Sequence, residues 1–279
     1  TGRKQFVAHH LKNKNFKLIT GDVLDTKKLT RAMKGVDFVF HIAGHADVRS
    51  GLNDHYRNHE QNLEATHSVL EAMFKNGVKK MAFASTSSVY GDAEIHPTPE
   101  NAPFSPTSLY GAAKASSETY IQAYASYYDW NAYIFRFVSF VGERYTHGII
   151  YDVLKKVKKN PKVLPLLSDG KQKKSSIYVG DGVNAMFMAI KAGKEKVNIF
   201  NIGHDEVITV NDIVDSILES GNIKTKKEYE GGKIGWKGDN GFVHLDNAKL
   251  KKIGWKVTHS IREGIEKTVK YIQNELTDF

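Results

Sequence analysis

Cysteine occurs nowhere in this 279-residue chain. Disulfides and thiolate chemistry are therefore excluded. Proline is scarce, at 6 residues, and 41% of the chain is hydrophobic, which excludes a disordered or linker protein. No apolar run reaches the roughly 20 residues that a membrane helix needs. The opening Thr1-Gly2-Arg3-Lys4-Gln5 is polar and unlike a secretory signal, so a cytoplasmic location without a membrane partner is expected. Internal repeats and low-complexity stretches are lacking too. So is a glycine-rich turn in its proper place. The one formal G-x-x-G-x-x-G match, Gly235, Gly238 and Gly241, has no strand before it and no helix pattern after it.

Acidic residues fall short of basic ones, leaving a formal net charge of +9. The densest basic stretch runs from Lys155 to Lys174, with Asp169 as its one acid. It reads either as a solvated helix face with its following loop, or as an electropositive rim for a phosphorylated ligand. No nucleic-acid motif accompanies the charge, so nucleic acid is not expected as a partner. No metal ligand set is expected either.

Strand and helix patterns alternate through the first half of the chain. Strands are expected at Phe16–Thr20, Val36–Ala43, Lys80–Ala84 and Asn131–Val138, and helices at Asp25–Lys34, Asp54–Lys75 and Ser108–Tyr128. Val36–Ala43 is almost continuously apolar, the mark of a strand buried on both faces. Later come a helix at Gly148–Lys159, a strand at Ser176–Val179, a helix at Asp181–Ala192 and a strand at Val197–Ile202. Amphipathic helices follow at Val210–Glu219 and Ser260–Glu275. The fold class is therefore α/β: a doubly wound parallel sheet, Rossmann-like, with a smaller α/β substrate lobe. The sheet domain is expected to take residues 1–138 and 175–203, and the lobe 139–174 and 204–279. A doubly wound dinucleotide fold opens with a strand, a glycine-rich turn and a helix. None precedes Phe16, so at least one βα unit, on the order of 30 residues, is expected to be missing at the N-terminus.

Tyr110 and Lys114 stand four apart, on one face of the expected helix. A free tyrosine is ionised only about once in a thousand at pH 7. A nearby ammonium favours the phenolate and makes it a usable general base. The spacing alone is not distinctive, because Tyr151–Lys155 and Tyr229–Lys233 share it. Context separates them. Tyr110 follows a loop with Pro103, Ser105, Pro106 and Ser108. Upstream, the strand at 80–84 ends in the hydroxyl-rich run Ser85-Thr86-Ser87-Ser88-Val89-Tyr90-Gly91. Hydroxyls at the carboxyl end of a parallel strand face the ligand crevice of an α/β sheet; on composition alone they also suit an ordinary Ser/Thr-rich turn.

That run, followed by Ser108-Leu109-Tyr110-Gly111-Ala112-Ala113-Lys114, resembles the active site of extended short-chain dehydrogenases/reductases. The nearest resemblance is to archaeal-type UDP-glucose 4-epimerases, through Tyr145–Asp152 and the turn at Gly235–Asp239. It implies NAD as cofactor, a UDP-sugar substrate, a transient 4-keto sugar and a homodimer built on the helices at Asp54–Lys75 and Ser108–Tyr128. Thr86, Tyr110 and Lys114 take the catalytic positions. Asp22, Val23, Ile42, Ala43, Gly44, Asn62 and Phe137 join Tyr110 and Lys114 in the cofactor set. Thr86, Ser87, Ser139, His147, Pro165, Leu167, Lys174 and Asp239 form the substrate set. Ser139 stands where epimerases carry Asn, Lys174 where they carry Arg, and Ala65 where the family carries Gly. Dehydratases and decarboxylases of the group carry an acid just before Val-Tyr-Gly. Ser87 and Ser88 stand there, which favours epimerisation. A 4-keto reductase, a dehydratase and a non-catalytic nucleotide-binding remnant are the alternatives.

Overall fold

The computed structural model describes residues 2–232, 235 and 241–275. After a 3-10 helix at Lys4–His10, the first α-helix, α1 (Thr26–Ala32), is capped by Asp25, whose carboxylate accepts from Lys28 N at 3.0 Å. Strand β1 (Val39–His41) leads through a loop to α2 (His55–Asn58), a π-helical turn (His59–Glu64) and α3 (Ala65–Asn76). The left-handed Gly77 (φ 68°) stops α3. Then come β2 (Lys80–Ala84), α4 (Leu109–Tyr128), β3 (Asn131–Phe137), β4 (Ser139–Val141) and α5 (Ile149–Lys159). After β5 (Val163–Leu166), β6 (Lys173–Lys174) and β7 (Ser176–Tyr178) come α6 (Val179–Ala192), β8 (Val197–Ile202) and β9 (Ile208–Thr209). The chain continues as α7 (Val210–Ser220), β10 (Lys226–Tyr229), α8 (Ala248–Lys252) and α9 (Ile261–Glu275).

The main sheet has the order β1-β2-β3-β8, and every pairing is parallel. Val39 lies opposite Met81, Lys80 opposite Asn131 and Ala132 opposite Val197. Successive side chains of a strand point to opposite faces. Met81, Phe83 and Ile134 accordingly enter one cluster with Leu70, Met73 and Ile121 from α3 and α4. Ala82, Tyr133 and Phe135 enter another with Ala185, Met186, Ala189 and Trp255. Strands covered on both faces explain the near-continuous apolar runs. A third cluster joins Val141, Leu164 and Leu166 to Ile150 and Leu154 of α5, Val214 and Ile217 of α7, and Ile265 and Val269 of α9.

Three expectations are corrected. Residues 16–20 form no strand, and β1 covers only Val39–His41 of the expected 36–43. A strand needs a ladder partner for its backbone, and among the described residues β1 pairs only with β2. Leu18 and Ile19 are each 44% exposed and Phe40 45%. The helix expected at 54–75 is interrupted by the π-helical turn. Among the described residues no helix is long and apolar enough to cross a membrane.

Candidate active site

Parallel strands bring their carboxyl ends to one edge of the sheet, where ligands of α/β folds bind. Beyond the ends of β1, β2 and β3 lies a cavity of about 340 Å³. Ile42, Gly44, Asn62, Thr86, Ser87, Tyr110, Lys114, Phe137 and Ser139, all singled out in the sequence, line it.

The β2 end sets one wall. Ser85 N extends the ladder by donating to Phe135 O at 2.8 Å. Thr86 stays extended (φ −154°) and caps a 3-10 turn, Ser87–Val89, by accepting from Ser88 N. The first turn of α4 lies against it. Ser108 caps α4 by accepting from Gly111 N at 3.1 Å. Position 111 must be glycine, because a Cβ there would stand 2.5 Å from Ser88 O. This approach lets Thr86 hydrogen-bond the Tyr110 hydroxyl.

Lys114, one helical turn further, is 4% exposed. Its Nζ donates to Ala84 O at 2.9 Å and sits 4.7 Å from the centre of the Phe83 ring. Burial lowers its pKa to about 8, opposed by the nearby Glu118 carboxylate. Burial also raises the Tyr110 pKa, and the Thr86 hydrogen bond works against that rise. Tyr110 is therefore the neutral phenol at rest.

The third wall hangs on Asn62, in the π-helical turn. Its Oδ1 accepts from His45 N and its Nδ2 donates to His45 O, both at 3.1 Å, so one amide clamps the chain leaving β1. A Cβ on Gly44 would come within 2.7 Å of Asn62 Oδ1 and 3.2 Å of Lys114 Nζ. Beneath this wall His41 is 4% exposed, its Nε2 3.0 Å from Thr66 Oγ1. The Thr66 hydroxyl donates to Asn62 O at 2.6 Å, so His41 Nε2 carries the proton in their contact. Burial, with repulsion from Lys114, lowers the His41 pKa to about 3.

The remaining residues of the cofactor and substrate sets stand outside this lining. Asp22 is exposed and accepts from Leu24 N, while Val23 packs beside the α3 cluster. Ala43 is exposed beside Gly44. His147 stacks on Tyr145 with ring centres 6.2 Å apart. Pro165 lies in β5 opposite Glu228, Leu167 follows it 39% exposed, and Lys174 pairs with Ile208. Asp239 lies outside the described residues. Within the basic stretch, Lys156, Lys158 and Lys159 occupy the last turn of α5, where cations suit the helix dipole, and Lys156 Nζ donates to Pro165 O. Tyr151 packs against the third cluster, and Tyr229 donates to Asn211 Oδ1, with Lys233 outside the described residues.

The cavity also uses residues that the sequence did not single out. His45 lines it, its Nε2 2.7 Å from Ser50 Oγ. Ser85 lines it and donates to the buried Glu118. Glu118 was visible as a third member of the four-residue spacing Tyr110, Lys114, Glu118; His45 carried no such signal.

A profile of the NAD dependent epimerase/dehydratase family matches residues 1–203. A putative UDP-glucose 4-epimerase of Methanocaldococcus jannaschii is 31% identical over 246 residues, covering 86% of this chain and 78% of that protein. A solved UDP-galactose 4-epimerase is 33% identical with a TM-score of 0.87, covering 99% of this chain and 88% of that one. A UDP-glucose 4-epimerase of Thermotoga maritima, solved with UDP-glucose, is 28% identical with a TM-score of 0.85, covering 94% and 85%.

Proposed function

The chain belongs to the NAD dependent epimerase/dehydratase family, and from that premise we propose that it is a UDP-hexose 4-epimerase of the glucose/galactose type. The observation that carries this reading is the Tyr110 hydroxyl, hydrogen-bonded to Thr86 in the cavity that also holds Lys114. Among the described residues the cavity lining contains no carboxylate. That supports epimerisation over elimination of water, which needs an acid beside the sugar.

The family is NAD-dependent, and the residues present fit the nicotinamide end of that cofactor. Gly44 brings bare backbone against Asn62 and Lys114, and Ile42 and Phe137 give the cavity apolar walls. Its volume of about 340 Å³ is at the lower end of the roughly 300–1,000 Å³ typical of ligand sites. It suits a nicotinamide riboside end with part of a sugar. When bound, NAD supplies reversible hydride transfer at the sugar's fourth carbon. Tyr110, once ionised to the phenolate, takes the proton of the sugar 4-hydroxyl and returns it to the same oxygen after the sugar has turned. Thr86 holds that oxygen in line with the phenol. Lys114 supplies the positive charge that makes the phenolate accessible in a site where burial opposes it. Ser87 and Ser139 contact the sugar. His147, Pro165, Leu167, Lys174 and Asp239 serve the nucleotide, and Asp22, Val23 and Ala43 the distal part of the cofactor. The chain works as a homodimer through α3 and α4, which present Phe74, Tyr120, Tyr127 and Tyr128 to solvent at 40–79% exposure.

The test is interconversion of UDP-glucose and UDP-galactose in the presence of NAD, for the parent and for Tyr110→Phe. Phe removes only the hydroxyl, so packing is nearly kept. The rate is expected to fall about 100- to 10,000-fold, with UDP binding retained. Tyr151→Phe should leave the rate unchanged. A Tyr110→Phe rate within about tenfold of the parent overturns the assignment of the base. Release of a dehydrated 4-keto product, or stoichiometric consumption of reduced cofactor, identifies a dehydratase or a reductase instead. Turnover of none of these substrates, with no near-ultraviolet absorbance from bound reduced cofactor, identifies a non-catalytic nucleotide-binding protein.

A further inference from the structure

Behind Lys114 lies a charge pair that the proton transfer above does not use. Glu118 and Arg136 have side chains 0% and 3% exposed. Arg136 Nη2 donates to Glu118 Oε2 at 2.7 Å, and Nε to both carboxylate oxygens at 3.1 Å. Ser85 adds its hydroxyl to Oε1. The remaining guanidinium donor reaches Tyr90 OH at 2.7 Å and Glu100 O at 2.8 Å. Tyr90 in turn donates to Asn201 Oδ1 at 2.8 Å. One carboxylate thus ties α4 to the ends of β2 and β3.

A buried ion pair is a poor device for stability alone, since desolvation offsets most of its attraction. Its place suggests another use. Tyr110, Lys114 and Glu118 follow one another at four-residue spacing along one face of α4. The groups around Lys114 are the Glu118 charge one turn along its own helix, Ala84 O and the Phe83 ring from β2, His41 from β1, and the Asn62–Gly44 corner, with Tyr110 lining the same cavity. His41 is neutral at working pH, so Glu118 is the one anion among them.

We propose that Glu118 is a positioning residue, whose carboxylate, held by Arg136 and Ser85 one helical turn beyond Lys114, keeps the Lys114 ammonium charged at its place on Ala84 O, in the cavity that Tyr110 also lines. The proposal rests on the reading of Tyr110 and Lys114 as the working groups. In water-poor surroundings a buried amine sheds its proton unless an anion holds it. The lowering of the Lys114 pKa to about 8, with Glu118 pulling the other way, is the balance expected of such an arrangement.

The experiment is an NMR titration of labelled lysine ε-carbons in the full chain without ligands. Lys114 is assigned by its loss in K114R. Glu118→Gln keeps shape and most hydrogen bonds but removes the charge. The Lys114 pKa is expected to fall by about one unit or more, a tenfold change in its charged-to-neutral ratio. In turnover assays kcat should fall at neutral pH, KM for the UDP-sugar should hold, and the alkaline limb should move to lower pH. Glu118→Asp keeps the pair with Arg136 but withdraws the carboxylate by one methylene, so it remains testable if E118Q does not fold. Its Lys114 pKa should fall by a smaller step. A Lys114 titration identical to the parent's in either folded variant overturns the proposal and leaves the pair a structural tie between α4 and β3. The titration needs no substrate, so absence of epimerase turnover in the parent would sink the functional reading without deciding this one.

Discussion

His41 is a buried imidazole with one hydrogen-bonded nitrogen and a cation nearby, and it couples the fold to acid. Its folded pKa, about 3, lies below its unfolded value of 6.5. Between those values the unfolded chain binds a proton that the folded chain refuses, so stability falls as pH drops from 6.5 towards 3. His41→Gln keeps a donor for Thr66 and removes the titration. The variant should unfold at a lower pH than the parent, by roughly half a unit to one unit. Circular dichroism across an acid series checks this, and an unchanged midpoint would mean that other groups drive acid unfolding. Lys114 works in the opposite range. Its folded pKa of about 8 lies below the ordinary 10.5, so between these values the folded state holds fewer protons and its stability rises with pH. Activity, in contrast, is expected to fall as pH passes about 8, because the neutral amine cannot support the phenolate. One residue thus has opposite pH signatures for stability and for catalysis.

At the scale of elements, cap chemistry marks where several helices begin. Ser108 caps α4 and Asp25 caps α1. Thr209 and Asp212 form a reciprocal capping box on α7, with bonds of 3.1 and 2.9 Å between each side chain and the other's backbone. Removing it by Thr209→Ala is expected to cost about 1 kcal/mol. A melting temperature lower by roughly 2–4 °C is expected, with kcat unchanged because α7 packs in the cluster away from the cavity. A loss of activity at temperatures where the variant is folded would contradict that separation. The π-helical turn at His59–Glu64 was not readable from apolar spacing. Its extra residue per turn aims Asn62 at the backbone of His45, a demand made by a partner distant in sequence.

For the whole molecule the surface of α3 and α4 matters most. Phe74 and Tyr128 pack as tilted rings with centres 4.8 Å apart, and Tyr127, 79% exposed, meets Tyr128 edge-on. This exposed aromatic cluster is the surface on which the proposed homodimer would close. Tyr120→Glu with Tyr127→Glu should convert a dimer to a monomer in light scattering at micromolar protein, with the fold intact. A parent that is already monomeric, or a double variant that stays dimeric, removes α3 and α4 as the interface. The exposed edge of β1, with Phe40 and the neighbouring Phe187 at 45% and 59% exposure, is a second apolar surface of the fold.

What the sequence determined by itself was the alternation of strands and helices, the parallel sheet and the Thr86, Tyr110, Lys114 constellation. The elements rest on local signals, above all apolar runs for strands buried on both faces; Tyr110 and Lys114 share a helix face by their spacing, which two other pairs also have, and it was the resemblance of the surrounding motifs that set them apart together with Thr86. Strands β2 and β8 begin and end at the residues expected: β2 lies between β1 and β3, and β8 pairs with β3 along its whole length. What only the tertiary structure decided was everything that depends on a distant partner. The strand at 16–20 had the right composition but no neighbour to bond. Lys114 shared its helix face with Tyr110 in the sequence, yet burial, together with Glu118, set its charge balance. His41, His45 and Arg136 became visible only once β1, the π-helical turn and β3 converged on α4. Periodicity reports which face of an element is buried; the dielectric, and the charges that meet across that face, arise only when elements far apart in the chain are packed together.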